Sequence, residues 1–450
     1  MQKVLPYVLL IISLFLVFPL AAQDSETEED SSGFGFRTTI ELGAKTFNEM
    51  VDGDMTQVTY NMIGFNPDIS FGKVGIGLAV TLHYQSADGF QIREEDWVPE
   101  GDKSFLDLYL PIFRYIRYAE KGEPFYAKIG TIEDGTLGNG FLMRNYSNAL
   151  FLPEQRIVGL ALDVDGSLFN FPYVGLETFT GNLAAFDVFG TRVFVRPLAA
   201  TSIPILKDLQ LGTTFAADFK PEYNYDFTIY TDPDAVSMAG ADFKQPLLSG
   251  SALSLALFGD VGFQSGGDST NTGGMVGFGG QLVQFINYNF SLLFLGDNFL
   301  PFYFDAGYDL YREAKYSVYS GEQAIDGYNG WMANIGFTFL ENMLVFSTTV
   351  DGSFSPDSIS EDRAAMTYPH LRGTLTVAEG ILPGFFFDAY YDKRYLAAFE
   401  DFADPENANI GANINYKTGP AVITLGYNLR YVPVDGSWET TSRLTSAISF

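Results

Sequence analysis

Ala421-Val-Ile-Thr-Leu-Gly-Tyr-Asn-Leu-Arg-Tyr431 is the stretch whose reading decides the fold. Its odd positions (Ala421, Ile423, Leu425, Tyr427, Leu429 and Tyr431) are apolar or aromatic, whereas the even ones include Thr424, Gly426, Asn428 and Arg430. A period of two sends successive side chains to opposite faces, so this is a strand with one apolar and one polar side. The preceding segment repeats the pattern, setting Ala408, Ile410, Ala412, Ile414 and Tyr416 against Asn407, Asn409, Gly411, Asn413, Asn415 and Lys417. Lys417-Thr-Gly-Pro420 leaves room only for a tight turn between them.

The same alternation runs back to the start of the chain. Phe36, Thr38, Ile40, Leu42 and Ala44 oppose Arg37, Thr39, Glu41 and Lys45, and Val74, Ile76, Leu78, Val80 and Leu82 oppose Gly75, Gly77, Ala79, Thr81 and His83. In mid-chain, Leu253, Leu255, Leu257 and Val261 oppose Ser254, Ala256 and Asp260. A β-sandwich would also alternate, but its polar face would look outward and carry many charges. Here the polar face is Gly, Ser, Thr and Asn with scattered ions, which suits a water-filled interior.

Composition agrees. Of the 450 residues 47% are hydrophobic and only 18% charged, and the 42 Phe and 26 Tyr exceed what a core needs, whereas two interfacial rings of aromatics would use them. No cysteine is present, so disulfides and thiolate metal sites are excluded. A net charge of −29 makes nucleic acid an improbable partner, since phosphate contacts need a basic patch. Lys3, the apolar run Val4 to Phe18 and the exit Pro19-Leu-Ala-Ala22 have the form of a cleaved secretory signal peptide over 1–22. That run spans about 22 Å as a helix, short of the ~30 Å hydrocarbon core. Residues 23–33, with Asp24-Ser-Glu-Thr-Glu-Glu-Asp30, form an acidic solvated leader, and 34–450 form one all-β domain.

Two-residue alternation, tight turns at one end and a terminal aromatic, Phe450, together resemble a porin-like bacterial outer-membrane β-barrel. The resemblance rests on pattern, not on a family signature. It implies a single closed antiparallel transmembrane barrel with short periplasmic turns and long extracellular loops. Counting segments gives about 20 strands, with 18 or 22 as alternatives, by the ten-residue alternating template. Residues 104–117 count as one strand, and Phe71-Gly-Lys73, Leu340-Glu-Asn342 and Ala378-Glu-Gly380 as turns. Pro301 to Tyr311 is ambiguous: it belongs to a large loop over 298–327, or pairs with 314–320 to make 22 strands. The resemblance also makes Phe450 the signal read by the barrel-assembly machinery, and outer-membrane lipid the surrounding partner.

The third outer loop, Asp134 to Gln155, is unusually apolar for a solvated connection, holding Phe141-Leu-Met-Arg-Asn-Tyr-Ser-Asn-Ala-Leu-Phe151. In general porins the third loop folds into the barrel. The resemblance therefore implies a constriction presenting Asn139, Arg144, Asn145 and Asn148, against the alternative of a cap over the mouth. Alternation also predicts opposed walls of lumen charge: Arg37, Arg372, Arg394, Arg430 and Arg443 near the closure, and Asp163, Glu177, Asp218 and Asp260 in mid-chain. Opposed walls would set up a transverse field across the pore. Local ion pairing between neighbouring strands is the plainer reading.

Nothing in the sequence argues for catalysis, a metal or a cofactor. The two histidines, His83 and His370, fall on distant strands, and Gly273-Gly-Met-Val-Gly-Phe-Gly-Gly280 lacks the Gly-Lys-Ser/Thr of a phosphate loop. A barrel this wide cannot be filled by wall side chains alone. The expected function is passive diffusion of small polar solutes across the outer membrane through a loop-narrowed lumen. Two alternatives stand: a fatty-acid-type transporter for hydrophobic compounds, and a surface adhesin or structural barrel using the aromatic-rich loops 298–327 and 220–230.

Overall fold

The computed structural model describes residues 34–449 apart from 52–53, 87–89, 100–104, 153–154, 204, 223–232, 267–268, 341, 356–368 and 433–435. The signal peptide over 1–22, the leader over 23–33, Phe450 and the aromatic group Tyr223, Tyr225, Phe227 and Tyr230 lie outside the described residues.

Alternation of this quality can bury only one face, and the chain resolves that by curling one antiparallel sheet into a closed barrel of 20 strands. Val74–Leu78 and Val80–Gln85 are one wall strand interrupted at Ala79, and Gln91–Ile92 is a short pairing within an outer loop. The strand that decided the reading, Ala421–Val432, pairs with Ala408–Thr418 and Ser437–Ser449. Its Ile423, Leu425 and Tyr427 are exposed on the outside, among a belt of outward apolar residues that includes Leu257, Val276, Phe278, Phe290 and Ile335. A belt this continuous on a closed barrel is a surface for lipid.

Two expectations change, and one open alternative is settled. Residues 104–117 are not one strand: Phe105–Tyr109 is a helix, Leu110–Ile112 a 3-10 turn, and only Phe113–Tyr118 joins the wall. Pro111, which cannot donate to a ladder, sits where the strand would have continued. The turn placed at Ala378-Glu-Gly380 falls instead at Pro383-Gly384, because the strand His370–Leu382 runs on through an irregularity between Val377 and Leu382. Residues 301–320 add no strands; they belong to the loop, which contains the helix Arg312–Tyr319.

The first hairpin is longer than its neighbours. Phe34–Val51 and Asp54–Phe71 pair over their full 18 residues, roughly 60 Å at the usual rise, where about ten tilted residues cross a membrane. Closure, by contrast, is brief. Among the described residues the first and last strands pair at Thr39↔Ser449, Ile40↔Ile448, Glu41↔Ala447 and Leu42↔Ser446 and at no others. On the other side of this leaf, Val80–Gln85 pairs with Asn61 to Phe65 but not with Phe113–Tyr118, whose ladder stops at Leu78↔Phe113.

Candidate functional site

The barrel interior is divided. Mid-chain wall strands present Phe179, Val188, Ala216, Met238, Phe258, Met275 and Leu293 inward, and two outer loops pack on them to form a dry core. The third loop contributes Leu137, Phe141, Leu142, Met143 and Tyr146, and loop 296–327 contributes Phe299, Tyr303, Phe304, Tyr308 and Tyr319. The two loops bond to each other through their backbones: Arg144 N donates to Phe304 O (2.9 Å), Phe302 N to Phe141 O (2.8 Å) and Phe304 N to Leu142 O (3.2 Å). Stacked Phe141 and Phe299 rings, 5.3 Å apart, add to the contact. The aromatics of 298–327 that the sequence offers as an adhesive surface therefore lie inside, where burial of such rings is most favourable.

The third loop crosses the lumen. At its tip, Gly138 N donates to Glu177 (3.1 Å), and Asn139 Nδ2 donates to Asp260 (3.1 Å) and to Phe243 O (3.1 Å). At its far end Leu150 O accepts from Arg430 (3.2 Å), whose guanidinium also lies 5.0 Å from the Phe151 ring. Asn148 is buried and ties the loop to the backbone beside it, accepting from Ile132 N (2.7 Å) and donating to Gly181 O (2.8 Å). Asn145 takes a positive φ of 53° and donates its N–H to Thr136 (2.9 Å). Arg144 packs against Met332 and lies 5.6 Å from the Phe302 ring. Burial pulls its pKa below the ordinary arginine value, with Asp351 opposing.

The wall charges mostly meet partners. Arg192 is bidentate to Asp242 (2.9 and 2.6 Å) and reaches Glu177 (3.1 Å), directly under the loop tip. Asp218, with Asp187 and Asp309, encloses Arg312 of the plug helix at 2.9, 3.0 and 2.9 Å. Arg394 meets Asp305, which also holds Lys315 at 2.9 Å. Burial pushes the Asp305 carboxyl up, but Arg394 and Lys315 outweigh it and hold it at about 2. Arg372 pairs with Asp392 (3.0 Å), as does His370 (2.9 Å), and Arg430 with Glu439 (2.9 Å). Asp163 stands opposite Glu177 in the ladder, and Arg37 is exposed.

What the plug leaves free is a cavity of about 1490 Å³ on the closure side. Its walls come from the first three strands, the last strand, the helical cover 106–112 and the end of the third loop at 155–158. Three arginines face it. Arg443 pairs with Glu41 (3.0 Å) and Arg114 with Asp68 (2.9 Å), whereas Arg156 has one hydrogen bond among the described residues, to Thr131 Oγ1 at 3.5 Å. Burial lowers the Arg156 pKa, and Arg114 and Arg443 lower it further, with Glu41 opposing. Near the outer end His83 Nδ1 contacts Asp96 at 2.7 Å. Alternation does not reveal Arg114 and Arg156, because Arg114 is the extra residue at the register shift between Gly77↔Tyr115 and Leu78↔Phe113, and Arg156 lies on a loop end before the strand Gly159–Asp165.

No protein-family model matches this sequence, and no curated protein matches it. Among solved structures, Pseudomonas aeruginosa OccD3 (OpdP) is 9% identical with a TM-score of 0.32, over 95% of each chain. Pseudomonas aeruginosa OccK2 (OpdF), solved in complex with glucuronate, is 12% identical with a TM-score of 0.33, over 93% of this chain and 96% of that one. A mutant Rh. blastica porin is 10% identical with a TM-score of 0.26, over 93% and 99%. At such overlap the likeness is that of one large barrel to another.

Proposed function

We propose that the protein is an outer-membrane channel for passive diffusion of small polar solutes, narrowed by the infolded third loop. The observation that carries this reading is the division of the lumen, in which a packed plug fills one side and a cavity lined by Glu41, Arg114, Arg156 and Arg443 stays open on the other. A wide barrel without filling would pass solutes unselectively, and one filled throughout would pass none. A lumen half filled by packed loops gives a bounded path whose charged groups discriminate among polar solutes. On this reading Asn139 and the Glu177–Arg192–Asp260 group fix the loop at its depth, and Arg443, Arg114 and Arg156 form the basic side of the path.

The chain reaches the membrane by secretion with loss of residues 1–22, and Phe450 serves insertion by the assembly machinery. Edman sequencing of protein from the outer membrane tests the first, with Gln23 as the expected start. Deleting Phe450 tests the second: assembled barrel should fall, and unchanged amounts would refute the role. Stepwise current in a planar bilayer tests the channel itself.

A further inference from the structure

The ladder between the first and last strands ends at Leu42↔Ser446, although both strands continue past it. Were the register maintained, Ala44 would face Leu444. Instead Gly43, Ala44 and Lys45 on one edge and Arg443, Leu444 and Thr445 on the other all line the cavity. The break therefore joins the cavity to the outside of the barrel. Its height is set by register: Leu444 pairs with Leu425, and both project outward in the apolar belt. An unpaired strand edge at hydrocarbon depth is tolerated only where it borders a cavity or a partner. The break on the far side of the same leaf differs, because there the cover is in place: Ala79 N donates to Ile112 O (2.7 Å), and Tyr109 donates to Trp97 O (2.9 Å).

The cavity behind the seam is amphipathic. Leu106, Leu110, Ile112, Ile157, Val158 and Trp97 form an apolar side and Arg443, Arg114 and Arg156 a cationic one, while Glu41, Glu95, Asp96 and Asp107 also line the cavity. Arg443 and Arg114 already have carboxylate partners, which leaves the half-buried Arg156 guanidinium as the donor with capacity to spare among the described residues. A charged group held away from water in this way is stabilised by an anion, with a planar carboxylate as the bidentate match.

We propose that this cavity binds a single-chain anionic amphiphile that enters from the bilayer through the seam above Leu42 and Ser446, its carboxylate held by Arg156. This goes beyond a path for polar solutes. The seam admits the chain sideways, the apolar side receives it, and the head reaches the arginines without crossing the plug.

Trp97 lines the cavity, so quenching reports occupancy. In nanodiscs of zwitterionic lipid, with Trp331→Phe and Trp438→Phe leaving Trp97 as the one indole, bromododecanoate should quench saturably. Bromododecanol, with the chain but no charge, and bromobutyrate, with the charge but no chain, should need at least tenfold higher concentration. Arg156→Gln should weaken bromododecanoate about tenfold. Because the chain has no cysteine, an Ala44→Cys/Leu444→Cys pair can be joined by a thiol cross-linker, and the joined form should lose quenching that returns on cleavage of the link. Equal quenching by the alcohol, or no change with Arg156→Gln or the closed seam, would overturn the proposal. Ion current through the wild-type barrel is read separately: its absence would remove the channel and leave the amphiphile site standing.

Discussion

Glu41 and Arg443 stand 402 positions apart in sequence and 3.0 Å apart in the barrel, one on the first strand and the other on the last. They reach across the seam just where backbone pairing stops, so a side-chain bond continues the closure by one contact after the ladder has ended. Both also line the open cavity. The same pair thus belongs to the integrity of the wall and to the electrostatics of the path.

Glu41→Gln and Arg443→Gln should each destabilise closure modestly, by about 0.5–1 kcal/mol, since the pair is partly exposed. The double variant should cost no more than either alone, because all lose the same contact. Thermal unfolding of the barrel on detergent gels reads the cycle. Fully additive losses would mean that the two side chains act independently.

Arg312 fastens the plug helix to the wall through Asp187 and Asp218, and its removal would leave buried carboxylates without a counter-charge. Arg312→Gln should cost about 3–5 kcal/mol of docking. Loop 296–327 should then detach while the barrel stays folded, exposing Lys315 to trypsin and raising ion current. Protection of Lys315 equal to wild type would contradict the clamp.

Two carboxyls make plug docking depend on pH in opposite senses. Asp305 is depressed to about 2 from 3.8, so its contribution is complete above about 4 and is lost as pH falls from there towards 2. Asp309 is raised to about 6 by burial, with Asp187 and Asp218 adding and Arg312 opposing, so it favours docking when protonated and loses that contribution as pH rises from about 4 to 6. Docking should therefore be tightest near pH 4. Trypsin cleavage of a pH-equilibrated sample, with exposure trapped by a brief labelling step, should show least access there, and a monotonic profile would refute the paired assignment.

Gly138 takes a positive φ of 58° at the tip of the third loop, and an added Cβ would lie 2.8 Å from Arg192 Nε. Gly138→Ala therefore meets both backbone strain of about 1–2 kcal/mol and a guanidinium that Asp242 and Glu177 hold in place. The tip should lift, with larger conductance and an unaltered barrel melting point. Conductance equal to wild type would mean that the tip does not narrow the path.

Most of the wall was legible because strand alternation is a local property, and Ala421 to Tyr431 carries it without help from the rest of the chain. Phe105 to Ile112 misled for the same reason. Leu106, Leu108 and Leu110 also recur every second residue, yet they form a helical cover whose apolar contacts lie across the cavity. The rings from Phe302 to Tyr311 suggest an adhesive outer surface in the sequence, because their density does not say which way they face, and they are buried in the lumen. Arg312 meeting Asp187 and Asp218, or Arg430 meeting Leu150, depends on how far each loop reaches across the lumen, and no sequence period encodes that distance. The unpaired stretch above Leu42 was hidden too, because alternation continues unbroken on both edges.

Single-channel recording from purified protein in a planar bilayer tests the central claim most directly. The account predicts discrete current steps in the wild type, larger ones when residues 302–326 are deleted, and a shift of reversal potential towards cation preference when Arg114, Arg156 and Arg443 are all replaced by Gln. A barrel that inserts and carries no current above background would contradict it.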